Sequence, residues 1–235
     1  MSEAKRVLLV GANGLIGRNV IARSREVEGL AVVALARREM AFPPGVRMEM
    51  MLAEPSGWEE AVTAIAPDCV VCALGTTWAK AGRDEAAFRA VDHDLVLTVA
   101  RAAHRAGAGQ FITISSVGAD ANSRNFYLRV KGETEQALHG IGYRRLDILR
   151  PGLLRGAREE DRRLMERMGI LAAPVTNLFM FGGNRKFRAV SADTVASTVL
   201  QCVREKARGR FVHEHDAILH AAGRLERSLI LSDYD

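Results

Sequence analysis

The stretch Gly11, Ala12, Asn13, Gly14, Leu15, Ile16 and Gly17 narrows the choice of fold more than any other part of the chain. It follows an apolar run at 7–10 and opens a helix-like pattern over 16–26, so a strand passes into a helix through a glycine turn. Each glycine has its own physical task in such a turn. The first permits a tight bend, the second lets main chain approach a pyrophosphate, and the third lets the helix pack close to the strand. The N–H groups at the start of the helix, with the partial positive charge there, then face an anion. An ordinary glycine-containing turn looks the same in isolation, so the rest of the chain has to discriminate.

Apolar runs of strand length recur at 31–36, 69–74, 111–114 and 146–149, with helical patterns at 58–65, 84–106 and 131–139 between them. A further strand is expected over 47–52, introduced by the turn at Pro43, Pro44 and Gly45. The alternation predicts an α/β fold of Rossmann-like type, a doubly wound parallel sheet with helices on both faces. At 235 residues, with no repeat or linker, the chain is expected to be a single NAD(P)-binding domain over 1–235, with the cofactor-binding core at 5–156. Beyond Gly156 come a charged helix-like stretch through 167, an interrupted apolar segment at 169–182, a helix over 193–206 and a strand over 210–213. Residues 157–235 are expected to form a small extension on the substrate side, because ligands of doubly wound sheets sit at the carboxyl ends of the strands.

Roughly 20 residues beyond the glycine loop, where an acid would bind the ribose 2′-hydroxyl of NAD, stand Arg37 and Arg38. Two guanidiniums suit the 2′-phosphate of NADP(H) through charge-assisted hydrogen bonds, whereas an Asp would repel it. A solvated pair of surface arginines is the plainer alternative. Tyr127 and Lys131 lie four residues apart and share a face if their segment is helical. The ammonium would favour phenolate, bringing Tyr127 nearer to proton transfer around neutrality, and would also hold a nicotinamide ribose. Ser115 and Ser116 end the central strand, where a hydroxyl can orient a substrate carbonyl, and spacing leaves the choice between them open.

The ordered set of Gly11, Gly14 and Gly17, Arg37-Arg38, Leu74-Gly75-Thr76-Thr77, Ser115-Ser116, Tyr127 with Lys131, and Arg150-Pro151-Gly152 resembles the short-chain dehydrogenase/reductase superfamily over about 5–156, with the glycine spacing of extended and atypical members. Leu74-Gly-Thr-Thr, Lys131-Gly-Glu-Thr-Glu and Arg150-Pro-Gly-Leu-Leu are similar to the Tat-interactive-protein-like NADPH-binding oxidoreductases. The resemblance implies a catalytic Ser116, Tyr127 and Lys131. It also implies a cofactor lining from Leu74, Gly75, Thr76 and Thr77, and a passage of Pro151, Gly152, Leu153 and Leu154 beside the nicotinamide. The chain departs from that pattern after the third strand, where it reads Leu52-Ala53-Glu54 rather than presenting an Asp to adenine. It departs again at Ala73-Leu74-Gly75, which offers no catalytic Asn.

Other constellations read as structural. Cys69 and Cys72 have metal-like spacing, but residues three apart on a strand point to opposite faces. His213 and His215 could share a strand face with His220 beyond them, but no carboxylate or thiolate cluster stands at ligand spacing to complete a metal site. Met165, Met168, Leu171, Phe179, Met180 and Phe181 form an apolar group suited to core, pocket or interface. Three cysteines make no disulfide framework, and no secretory signal or spanning segment is read, so cytoplasm is the expected location. The net charge of +5 is spread among interspersed acids, which argues against specific nucleic-acid binding. The expected partner is a small-molecule substrate, with a second copy or a protein partner left open. The reading is an NADP(H)-dependent oxidoreductase acting on a carbonyl or activated double bond. An NADPH-binding regulator and a sugar-nucleotide epimerase or dehydratase are its rivals.

Overall fold

The computed structural model describes residues 4–46, 48–77, 79–155 and 187–232. The charged stretch through 167, the apolar segment at 169–182 and the Met–Phe group within it lie outside the described residues.

Seven strands form one parallel sheet: β1 (Lys5–Val10), β2 (Leu30–Ala36), β3 (Glu49–Leu52), β4 (Cys69–Cys72), β5 (Gln110–Ile114), β6 (Arg145–Leu149) and β9 (Gly209–His213), in the order β3-β2-β1-β4-β5-β6-β9. The order reverses between β1 and β4, which is the switch point at which doubly wound sheets hold ligands. Strands β4, β5 and β6 are buried along their whole length because both faces are covered, with Arg145 and Asp147 of β6 as charged exceptions to a mostly apolar pattern. Val7, Leu9, Cys69 and Val71 face a core shared with α1 (Leu15–Ser24), α6 (Ala192–Arg204) and α7 (His215–Ser232). Leu8, Val10, Val70 and Cys72 face a second core with α2 (Trp58–Ile65), α4 (Leu95–Arg105) and α5 (Phe126–Ile141). The two cysteines of β4 thus belong to opposite cores, and burial pushes each thiol up to about 12. Short strands β7 (Leu154–Arg155) and β8 (Val190–Ser191) pair in parallel as a separate ribbon.

Two helices differ from their expected bounds by more than two residues, for local reasons. Helix α5 begins five residues before the periodic pattern, at the point where Asn125 accepts from Leu128 N at 3.1 Å and caps it. The helix expected over 84–106 is three pieces: α3 (Glu85–Arg89), capped by Asp84, then a π turn (Ala90–Asp94), then α4. A π turn inserts one extra residue per turn and is found mostly where function demands it.

His213 is not as isolated as its sequence neighbours suggest. Pairing of β6 with β9 and packing of α6 bring Asp147 Oδ1 to 2.9 Å and Cys202 Sγ to 3.8 Å from its Nε2. This corrects the sequence reading that found no acid or thiol for it. Asp147 is already engaged, however, since Arg145 forks onto both carboxylate oxygens at 2.7 Å and Gln110 donates at 3.0 Å. Burial alone would raise the Asp147 pKa, but the His213 and Arg145 contacts outweigh it and hold it below the ordinary carboxylate value. Its stabilising contribution is therefore present above the unfolded-state value and is lost as pH falls through the lower folded value. Asp147→Asn should cost about 2 kcal/mol at neutral pH, and urea melts below about pH 4 should show the gap from the wild type closing.

Candidate cofactor and active site

The glycine loop is closed in a way that only glycine allows. Gly11 has φ +85°, and a Cβ there would lie 2.8 Å from Leu74 N, so the turn after β1 runs against the segment leaving β4. A Cβ on Gly17 would sit 2.8 Å from Ala12 Cα and closer still to Gly11 O, so α1 lies hard against the loop. Gly14 is the residue before α1, where no side chain caps the helix and no acid occupies the first turn. The N–H groups there are oriented for an anion, with Arg18 bonded through Nε to Asn13 O beside them. Ala12 and Ile16 are buried in the core below the loop, while Asn13 is exposed and Leu15 half-buried. Arg37 and Arg38 follow β2 immediately and are exposed.

Leu74, Gly75, Thr76 and Thr77 leave the carboxyl end of β4 next to that loop, and Thr76 N donates to Asp92 Oδ2 at 2.7 Å. Beyond β5 the two serines separate. Ser115 is buried and donates to Glu135 Oε1, whose carboxylate also receives the Arg150 guanidinium. Ser116 is half-buried, and its hydroxyl makes only a long contact, 3.3 Å, to Val117 O. The segment it begins lies along the start of α5, with Asp120 N bonded to Leu128 O at 3.1 Å.

Tyr127 and Lys131 both lie on α5, one turn apart. Tyr127 is 39% exposed and its ring meets Phe88 edge-on at 5.6 Å. Lys131 is buried, its Nζ 2.7 Å from Asp92 Oδ1 and 3.5 Å from Ile114 O. Burial by itself would lower the lysine pKa, but the Asp92 carboxylate, with the Tyr127 phenol behind it, lifts it above the ordinary value. The ammonium is thus held charged at the carboxyl end of β5. Pro151 is buried and Pro151 O accepts from Val117 N at 3.1 Å. Gly152 lies against the backbone of Phe187 and Arg188, and Leu153 O accepts from Val190 N, which leaves the Leu153 side chain 38% exposed and Leu154 half-buried.

The structure therefore brings the two loops, the serines, the Tyr–Lys pair and the 151–154 segment to one end of the sheet. Asp92 and the Ser115–Glu135–Arg150 chain are additions that the sequence reading missed. A signal for Asp92 existed: it stands four residues before Val96 on the face that continues through Val99, Ala100 and Ala103, where an acid needs a buried partner.

Residues 7–210 match the NAD dependent epimerase/dehydratase family. The curated relatives include the protein fmp52, mitochondrial, of Emericella nidulans, which is 34% identical over 163 residues spanning 66% of this chain and 70% of that protein. The protein FMP52, mitochondrial, of Saccharomyces cerevisiae is 34% identical over 158 residues, 66% of this chain and 68% of its own. Among solved structures, MoeE5 in complex with UDP-glucose and NAD superposes with a TM-score of 0.67 at 15% identity, over 94% of this chain and 81% of that one. The UDP-Glc/GlcNAc 4-epimerase of Campylobacter jejuni does so at 0.67 and 13%, over 92% and 82%. These structures share the fold. The expectation of a cytoplasmic location is overturned by the relatives, which are named as mitochondrial proteins. Cysteine usage constrains the redox surroundings of a chain and carries no address.

Proposed function

We propose that this protein, which belongs to the NAD dependent epimerase/dehydratase family and through it to the extended short-chain dehydrogenase/reductases, is an NADPH-dependent oxidoreductase that reduces a carbonyl or activated double bond of a small molecule. The observation that carries the reading is the pairing on α5 of an open phenol, Tyr127, with a buried charged ammonium, Lys131, at the end of the sheet where the glycine loop packs tightly against the segment after β4 and the start of α1 has no side-chain cap. The chemistry that NADPH would supply, if held by the glycine loop and the Lys131 ammonium, is a hydride for the substrate carbon. The Tyr127 hydroxyl gives its proton to the substrate oxygen, and the Lys131 ammonium steadies the charge left on the phenol oxygen and orients the ribose. Ser116 rather than Ser115 holds the substrate oxygen, because the Ser115 hydroxyl is committed to Glu135. The exposed Arg37 and Arg38 would hold the 2′-phosphate, and the exposed Leu153 would lie beside the nicotinamide. The strings shared with Tat-interactive-protein-like oxidoreductases support the same choice of NADPH.

The family match and the UDP-glucose held by MoeE5 favour a second reading, a sugar-nucleotide epimerase or dehydratase. The test follows NADPH oxidation with a panel of aldehydes, ketones and enones, and product formation from UDP-glucose in parallel. Oxidation with a carbonyl compound, lost in Tyr127→Phe, is the expected result. Conversion of UDP-glucose without net oxidation would favour the second reading. NADPH binding with no turnover at all would favour a regulator that senses the cofactor.

A further inference from the structure

We propose that Asp92 is a positioning residue that fixes the Lys131 ammonium for cofactor binding and ties it to the loop that lines the cofactor. This rests on the reading of the site given above. Asp92 is 1% exposed and sits within the π turn between α3 and α4. Its two carboxylate oxygens face different partners: Oδ1 lies 2.7 Å from Lys131 Nζ, and Oδ2 accepts from Thr76 N at 2.7 Å. Its backbone oxygen accepts from Thr134 Oγ1 at 3.1 Å, so the π turn is docked on α5 within a turn of the lysine. One side chain therefore spans the segment after β4 and the catalytic helix. A regular helix over 84–106 would place residue 92 differently relative to Val96 and its successors, and the extra residue of the π turn sets the carboxylate where both partners are reached.

Desolvation makes the charge of Asp92 matter more than its shape. A buried ammonium without a counter-charge tends to shed its proton. The other groups around Lys131 are the Tyr127 phenol on its own helix, the Cys72 thiol from β4, and Glu135, which is bound to Ser115 and Arg150. Among the described residues Asp92 is the ion-pair partner of the ammonium, at 2.7 Å. Asp92→Asn keeps the size and an acceptor for Thr76 N, and removes only the charge.

The experiment measures NADPH dissociation constants by cofactor fluorescence between pH 7 and 9.5, above the second ionisation of a phosphate near about 6. It is run on a Tyr127→Phe background, so that no phenol hydroxyl stands beside the ammonium, and Cys72, pushed up to about 12, lies outside the window. In the parent, affinity is expected to be flat across the range. With Asp92→Asn it should fall by roughly tenfold or more with rising pH, as Lys131 loses its proton. Lys131→Met should be uniformly weak, and adding Asp92→Asn to it should change the dissociation constant by less than about twofold. Thermal melts without cofactor complete the cycle, and the two substitutions should be non-additive in Tm. If the parent binds NADPH and Asp92→Asn lowers Tm without changing affinity or its pH profile, the pair is structural only and the proposal is overturned while the cofactor reading stands. If the parent binds neither NADPH nor NADH, the cofactor reading fails and the positioning role falls with it.

Discussion

Tyr127→Phe is expected to lower turnover with any reducible substrate by about 10²- to 10⁴-fold while leaving NADPH affinity within about twofold. The change removes one oxygen from a side chain that is already open to solvent, and the ring keeps its edge contact with Phe88 at 5.6 Å. Neither the fold nor the cradle of the glycine loop depends on that hydroxyl. Lys131 stays paired with Asp92, so its charge is retained. A drop confined to kcat therefore reports the proton given to the substrate, because the groups that bind cofactor and orient substrate are untouched. Turnover that survives the substitution would mean that another acid acts, and the roles assigned along α5 would be wrong.

Gly17→Ala should have the other large effect, on binding and stability together. Its added methyl would fall 2.8 Å from Ala12 Cα and closer still to Gly11 O, both backbone atoms that have no rotamer to adopt. Either α1 withdraws from the loop or the loop moves outward, and in both cases the N–H groups at the start of the helix no longer converge. Overpacking of this kind costs about 3 kcal/mol, which in a chain of this length lowers Tm by roughly 6–12 °C. NADPH affinity should fall by at least about 100-fold, or about 2.7 kcal/mol. Gly57→Ala is the control, since φ there is −97° and a Cβ meets nothing within 4 Å. That variant should bind NADPH as the wild type does.

The frame of the molecule was readable from one sequence because it follows local rules. Runs such as Cys69–Cys72 and Arg145–Leu149 are strands buried on both faces, and the helix Trp58–Ile65 emerges with the bounds its periodicity predicted. The glycine loop was readable too, since its spacing encodes a steric requirement that Gly11 and Gly17 meet in the structure. What stayed hidden depends on pairing between distant segments. The choice between Ser115 and Ser116 turns on Glu135, twenty residues away, and the environment of His213 is made by Asp147 and Cys202 from two other elements. Asp92 left a trace on the apolar face that continues through α4, but its partners Thr76 and Lys131 come from two other segments. Composition misled on location, where it had no physical bearing.

The central claim, that this chain holds NADPH through the glycine loop and the two arginines after β2, is tested most directly by titrating the purified protein with NADPH and with NADH. The same titration is made on a variant carrying Arg37→Ser and Arg38→Ser. The wild type is expected to prefer NADPH by tenfold or more, about 1.4 kcal/mol, and the variant to lose that preference while keeping its affinity for NADH. Equal affinity of the wild type for the two nucleotides, or a preference for NADH, would contradict the assignment of NADPH, and failure to bind either would contradict the site itself.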